Sequence, residues 1–416
     1  QVDWLPELAS SYRLWGKLLR QGGQFTSHER DVWLGQLPGS EVHALQALGG
    51  TATTRHALAW GEGPSCRLMQ HLAMFGMQPQ DMVAWAVGRV LYDLTGQTAF
   101  SLWFEGHGRQ ADERTLDISR TMGWFTSRYP VRFSYQRDAR EHLLAVKNNL
   151  RRWSQRAENF GVLCGLPVVK EDGISINYLG KMEAAGDWAL DHHFVGLHRH
   201  ASQEGTHLID IVVLNVGDRL ELRVESRLRE HDAAWLTQRL IRELEDGLVS
   251  MNWPSWRWLT ESDVDFALPQ PHLDRLQHAQ AVDAVFMANS LQQGMLHHSL
   301  AFGDADRVYR VATRWDYHCA IEPETFKRAW QWVQQQFSCL RLRFDWRGEI
   351  VQVVDHEGRF PWHVHDISHL SPEEREHALH RLQESEQQAS FDLQQSGLYR
   401  VCLVKLADDH FACLFC

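Results

Sequence analysis

A mixed α/β (α+β) fold spread over more than one domain is what the sequence predicts, and three observations predict it. Segments with apolar residues at helical spacing alternate with short apolar or alternating runs along the whole chain. The 416 residues exceed what one typical domain holds and suggest two or three. Hydrophobic residues make up 44% and charged residues 23%, the balance of an ordinary globular chain rather than a disordered or fibrous one.

In chain order, Ser10 and Ser11 are candidate caps for a first helix with Leu14, Trp15, Leu18 and Leu19 at helical spacing. Residues 21–30 are rich in glycine and polar groups. A strand is expected at 54–60 and helices at 65–75 and 80–94, the second with Met82, Ala86, Val90 and Tyr92 mostly on one face. Residues 99–104 form a short apolar run bounded by turn residues, which reads as a buried strand. Another strand is expected at 129–133, and a long amphipathic helix at 137–153. A strand at 174–178 precedes two strands, 207–216 and 219–226, joined by the two-residue turn Gly217-Asp218. A helix at 230–248 carries Trp235, Leu236, Leu240 and Leu244.

The composition then shifts. Residues 252–282 hold three of the 12 prolines and no clear periodicity. We therefore expect a linker at 251–282, with a boundary near 265, between a first domain at 1–250 and a second at 283–416. In the second, helices are expected at 290–300, 323–337 (proline in its first turn) and 372–389. Strands are expected at 309–317, 350–354, 398–405 and 411–416. There is no short repeat and no low-complexity tract.

The formal charge of −11, with no basic run, speaks against nucleic acid and anionic membranes as partners. No stretch of 18 apolar residues is present to span a bilayer. Seven irregularly spaced cysteines fit reduced thiols and a cytoplasmic location better than a disulfide framework. Cys413 and Cys416 have CxxC spacing but lie in an apolar strand-like run, where structural thiols are expected. The 24 histidines crowd at His192, His193, His198, His200 and His207 and again at His363, His365 and His369, without the spacing of a metal site, and no metal is expected. No phosphate-binding glycine motif occurs. Residue 1 is Gln and the last seven residues read as a buried strand, so the chain is expected to be a piece of a longer one.

Three clusters carry chemistry. Glu105-Gly106-His107-Gly108-Arg109 follows the buried strand directly, and its glycines allow a tight turn and close approach of a ligand. A partly desolvated Glu105 is a candidate general acid or base. The alternative is a structural Glu105–Arg109 ion pair with His107 packed in the turn. Residues 117–130 mix polar, aromatic and glycine residues, a composition that lines a site or staples a loop. Asn177-Tyr178-Leu179-Gly180 ends a strand on a polar pair.

The order of these clusters resembles that of epimerization domains in nonribosomal peptide synthetases. Residues 105–109 are similar to the EGHGRE motif, with Gln110 in place of its last Glu. Residues 120–130, RTMGWFTSRYP, are similar to RTVGWFTxxYP, and 177–180 to NYLG. The resemblance covers about residues 1–250, the later part of such a domain. From Asp283 onward the chain resembles the start of a condensation domain: residues 289–300, NSLQQGMLHHSL, are similar to its SxxQxGM opening, with 326–330 and 340–344 in support.

The resemblance implies chloramphenicol-acetyltransferase-like lobes around a tunnel, entered by the phosphopantetheine arm of a carrier domain. It implies no cofactor bound to the chain itself, and upstream donor and downstream acceptor peptidyl carrier domains as partners. The reaction implied for the first domain is L-to-D epimerisation of an aminoacyl or peptidyl thioester, as in the biosynthesis of peptide antibiotics. The second domain would form the next peptide bond. Glu105 is then the catalytic carboxylate. His107, Arg109, Trp124, Asn177 and Tyr178 line the tunnel, and Asp117 and Arg120 hold the loop. The essential HHxxxDG motif of such domains does not occur in residues 1–416: other residues follow His192-His193 and His297-His298. Residues 159–166, NFGVLCGL, match the expected glycine-rich PxxGxGYG motif poorly. The chain on its own is therefore expected to be inactive. Two other classes stand beside this reading: a free-standing acyltransferase of the chloramphenicol-acetyltransferase type, and a catalytically inactive carrier-docking module.

Overall fold

The computed structural model describes residues 10–21, 26–109, 116–164, 173–182, 206–251, 253, 256–303 and 309–416. The chain divides into two compact units, residues 1–255 and 256–416.

The first unit is built on a six-stranded sheet. Its strands are β1 (Gly49–Ala59), β2 (Ala99–Gly106), β3 (Ser127–Ser134), β4 (Ile174–Met182), β5 (Ile209–Val216) and β6 (Arg219–Leu228), in the order β1-β6-β5-β4-β2-β3. Strand β4 runs parallel to β2 and β5, and the other pairs are antiparallel. The expected β5–β6 hairpin is present, and Gly217 takes φ 58°, which its turn requires.

One face of the sheet is fully covered. Phe100, Leu102, Phe104, Ile176, Ile211 and Val213 are all at most 1% exposed. Helix α5 (Pro79–Thr95) lies on this face, and a Cβ on its Gly88 would strike Phe100 at 2.4 Å. Eleven of the 17 residues of α5 are buried, and the helix stops at Gly96 with φ 69°. Helices α6 (Ala139–Ser154) and α8 (Glu230–Ser250) pack beside it.

His142 of α6 is fully buried, and burial first, then the charge of Arg89, pushes its imidazole down to about 4. The folded state holds this ring neutral while the unfolded chain protonates near 6.5. Its stabilising effect is therefore complete above about pH 6.5 and disappears as pH falls towards 4. The first unit should lose about 3 kcal/mol over that window from this group alone. Urea unfolding at pH 7 and pH 4.5 should show the loss, and His142→Gln should flatten it.

The opposite face is only partly covered. Helix α7 (Ala157–Cys164) sets Phe160 against Trp103, with ring centroids 5.6 Å apart. Ahead of it, α2 (Ser27–Leu34) contributes Trp33, which meets Phe160 at 5.5 Å. Ser175, Asn177, Asp210 and Val212 stay half-buried on this side. Neither helix is among the elements expected from the sequence. For α2 the signal is present: Thr26 and Glu29 form a reciprocal capping box. For α7 the comparison with a glycine-rich motif hides the helix: residues 159–164 are helical, and residues 165–166 lie outside the described residues.

The second unit holds two sheets. The first consists of β7 (Val282–Met287), β10 (Val351–Asp355) and β9 (Leu342–Asp345), in that order. The second is β11 (Trp362–Asp366), β12 (Val401–Ala407), β13 (His410–Phe415) and β8 (Thr313–Tyr317). Alternate residues of β12 meet two cores: Cys402, Val404 and Leu406 pack with Leu379, and Val401 and Leu403 pack with Phe326 and Trp330. Those partners come from α12 (Pro372–Gln388) and α11 (Pro323–Gln336), so both faces of the strand are covered, which explains its continuous apolar run. Cys402 and Cys413 are buried and unbridged, with burial pushing each thiol up to about 12.

The linker expected at 251–282 needs correction. Trp253 stacks on His71, 4.9 Å away, within the first unit. Residues 256–282 belong to the second unit, so the division falls at 255/256 rather than near 265. Leu259, Leu268, Leu273 and Leu276 enter one core with Val282, Val285, Val351 and Val353. Leu273 and Leu276 lie on a helix, α9 (Gln270–Ala279), and Gln277 ties it to the preceding loop by donating to Leu259 O at 3.0 Å. Two of these leucines sit in irregular backbone, so the segment shows no period although it is core.

Candidate functional site

Glu105 sits at the end of β2, on the half-covered face of the sheet. Parallel pairing matches Phe104 with Ile176, which brings the next residue of β4, Asn177, alongside Glu105. Asn177 Nδ2–H donates to Glu105 Oε2 at 2.8 Å. This bond orients the carboxylate across two strands far apart in sequence. On the other side, Arg128 of β3 stands opposite Glu105 in register.

The backbone after Glu105 explains its glycines. Gly108 has φ 63°, and a Cβ there would lie 1.6 Å from the carbonyl oxygen of Phe125. The turn and the loop 116–125 thus touch backbone to backbone, which a side chain forbids. Gly108→Ala should cost about 2 kcal/mol or more, from strain at positive φ and forced separation of the two segments. Thermal unfolding measures this directly.

Exposed His107 accepts the backbone N–H of Arg109 at Nδ1, at 3.0 Å, so in the neutral ring Nε2 carries the proton. Arg109 is committed to the loop: Nη1 donates to Ile118 O at 2.7 Å, Nη2 donates to Thr121 O at 2.9 Å, and the guanidinium lies 4.1 Å from the Phe125 ring centroid. Arg109 thereby clips a small core of Leu116, Ile118, Phe125 and Trp15.

Asp117 turns the same loop by accepting from Ser119 Oγ and Ser119 N–H at 2.7 and 3.0 Å. These bonds hold its carboxyl below the usual range. Arg120 is exposed on the loop. Trp124 is 79% exposed, and its carbonyl accepts the hydroxyl of Tyr12 at 2.7 Å. The loop therefore presents its indole to solvent at a fixed point.

Strand alternation separates the polar pair of β4. Asn177 shares the face of Glu105, while Tyr178 points with Ile174 and Ile176 to the other side, where burial pushes its phenol up.

Ser175, two residues before Asn177 on the same face, belongs to a network that the sequence does not announce. Ser175 Oγ–H donates to Asp210 Oδ1 at 2.5 Å, and His207 Nδ1 lies 2.9 Å from the same oxygen. The His207 ring also stands 6.0 Å from Trp103. The sequence offers His207 only as one of a crowd of histidines. Of that crowd, His192, His193, His198 and His200 lie outside the described residues. Among the described residues, no cluster of three or more metal-ligating side chains is present.

A family model described as the condensation domain matches residues 21–247 and 282–416. A linear gramicidin synthase of Brevibacillus parabrevis is 28% identical over 98% of this chain and 9% of its own length. The N-(5-amino-5-carboxypentanoyl)-L-cysteinyl-D-valine synthase of Amycolatopsis lactamdurans is 40% identical over 31% of this chain and 4% of the synthase. The crystal structure of the epimerization domain from the third module of tyrocidine synthetase B aligns with a TM-score of 0.48 at 22% identity, over 60% of this chain and 61% of that domain. The chain spans less than a tenth of the length of these two curated relatives.

Proposed function

The chain belongs to the condensation domain family, and from that premise we propose that residues 1–250 are the later part of an epimerization domain in a nonribosomal peptide synthetase. The reaction is inversion of the α-carbon of an aminoacyl or peptidyl thioester. Its substrate hangs on the phosphopantetheine arm of a carrier domain, and no cofactor is bound by the chain itself. Residues 283–416 are the opening part of a condensation domain that takes the inverted donor. Donor and acceptor carrier domains of the same cytoplasmic synthetase are the partners.

The observation that carries this reading is the Asn177–Glu105 bond at 2.8 Å on a half-open sheet face. A thioester carbonyl acidifies the neighbouring α-proton, and a fixed carboxylate can remove it. Inversion needs a second group on the opposite face to return a proton, and the HHxxxDG motif that supplies it in the resemblance does not occur in residues 1–416. Asn177 orients the base, so Asn177→Ala should slow α-proton exchange of a carrier-bound L-aminoacyl thioester about tenfold in a synthetase carrying this segment. Carrier binding should be unchanged. Exchange at the wild-type rate would count against the reading.

A further inference from the structure

We propose that the outer edge of β8 pairs with β8 of a second copy of this chain, running antiparallel and centred on Trp315. The inference goes beyond the epimerization reading and does not depend on it.

Strand β8 closes one side of the four-stranded sheet of the second unit, and its register with β13 runs without a bulge from Thr313 opposite Phe415 to Tyr317 opposite Phe411. Among the described residues no strand pairs with its other side. Such an edge offers a row of backbone N–H and C=O groups to another strand, and proteins blunt it with proline, lysine, a bulge or a covering segment. Residues 313–317, TRWDY, carry neither proline nor lysine. Trp315, at the centre of the edge, is 40% exposed. Its indole is held in place by stacking over Trp330, with ring centroids 6.4 Å apart.

The order of charges names the partner. Arg314 and Asp316 flank Trp315 and share one face of the strand. In an antiparallel pair centred on Trp315, Arg314 of each copy stands opposite Asp316 of the other, and Trp315 meets its own counterpart. Moving the centre by one residue sets Arg314 against Arg314 or Asp316 against Asp316, and parallel pairing in register does both. The charges therefore fix direction and register together.

Within one chain, Arg314 Nε and Nη2 donate to Asp316 at 3.0 and 2.9 Å, while Nη1 stands 3.6 Å from Glu376, beyond hydrogen-bond reach. The guanidinium thus keeps a donor for a second carboxylate. His410 Nε2 lies 3.5 Å from Asp316 on the same face and adds no negative charge to it. Five residues a side make a short interface, so the association is reversible and weak rather than permanent.

The test is sedimentation velocity of the 416-residue chain over a micromolar concentration series. The wild-type chain should pass from monomer to dimer as concentration rises. Arg314→Asp makes the flanking pair doubly acidic and Asp316→Arg makes it doubly basic, so each variant alone should associate about tenfold more weakly. An equimolar mixture of the two should form a heterodimer, because each then meets the opposite charges. Both substitutions lie at the surface and should leave thermal unfolding nearly unmoved. Should either variant fail to fold, hydrogen exchange of the wild-type chain decides: amides of residues 313–317 should be better protected at high than at low concentration. A wild-type chain that stays monomeric, association indifferent to both substitutions, a mixture that stays monomeric, or exchange at β8 that ignores concentration would each overturn the pairing.

Discussion

Glu105→Gln should leave the first unit folded and reduce α-proton exchange of a carrier-bound aminoacyl thioester by about 10²–10⁴-fold, the usual worth of a general base. Gln keeps the volume of Glu and offers an oxygen to Asn177 Nδ2–H, so the bond that joins β2 to β4 survives. What disappears is the capacity to take a proton. Because the change is nearly isosteric at a half-buried position, thermal unfolding should move little. A variant that unfolds, or one that exchanges at the wild-type rate, would each remove Glu105 from its role, for different reasons.

The second large effect concerns the other unit. Arg343 Nε contacts Asp355 at 2.8 and 3.1 Å, and the two side chains are 9% and 0% exposed. The pair bridges β9 and β10 and brings Arg343 Nη2 to Leu276 O at 3.4 Å, which ties α9 to the sheet. Asp355→Ala leaves a buried guanidinium without its counter-charge, and breaking such a pair costs about 3–5 kcal/mol. Urea unfolding should show the second unit destabilised by that amount. Removing the exposed carboxylate of Asp408, paired with Lys405 at 2.8 Å on the surface, should leave the midpoint in place. A small effect at Asp355 would mean the interior re-packs around the cation more readily than its burial implies.

Much of this fold is legible in the residues, and the exceptions share a cause. The helix at 80–94 and the β5–β6 hairpin can be read because each satisfies a local rule: apolar residues at helical spacing for one, a two-residue turn for the other. Residues 256–282 cannot, because Leu259 and Leu268 reach the core from irregular backbone and leave no period. Helix α7 is obscured by comparison with a glycine-rich pattern, although its apolar residues have helical spacing.

The site divides in the same way. Glu105 announces itself by a charge that ends an apolar strand and precedes two glycines, Gly106 and Gly108. Its bond to Asn177 depends on the parallel pairing of β2 with β4, 72 residues apart in sequence, and such pairing leaves no local mark. The opposite faces of Asn177 and Tyr178 follow from strand alternation once the strand is known. The commitment of Arg109 to loop carbonyls and the Ser175–Asp210–His207 network are tertiary facts, for which residue type alone gives no direction.

The central claim is that the first unit inverts a thioester-bound α-carbon through Glu105. The most direct test loads a carrier domain of a synthetase holding this segment with an L-aminoacyl group in deuterated water, releases the product and analyses configuration and isotope together. The account predicts a mixture of D and L product carrying deuterium at the α-carbon, and L product without deuterium from Glu105→Gln. Unlabelled L product from the wild-type synthetase, with its carrier loaded and its downstream condensation intact, would contradict it.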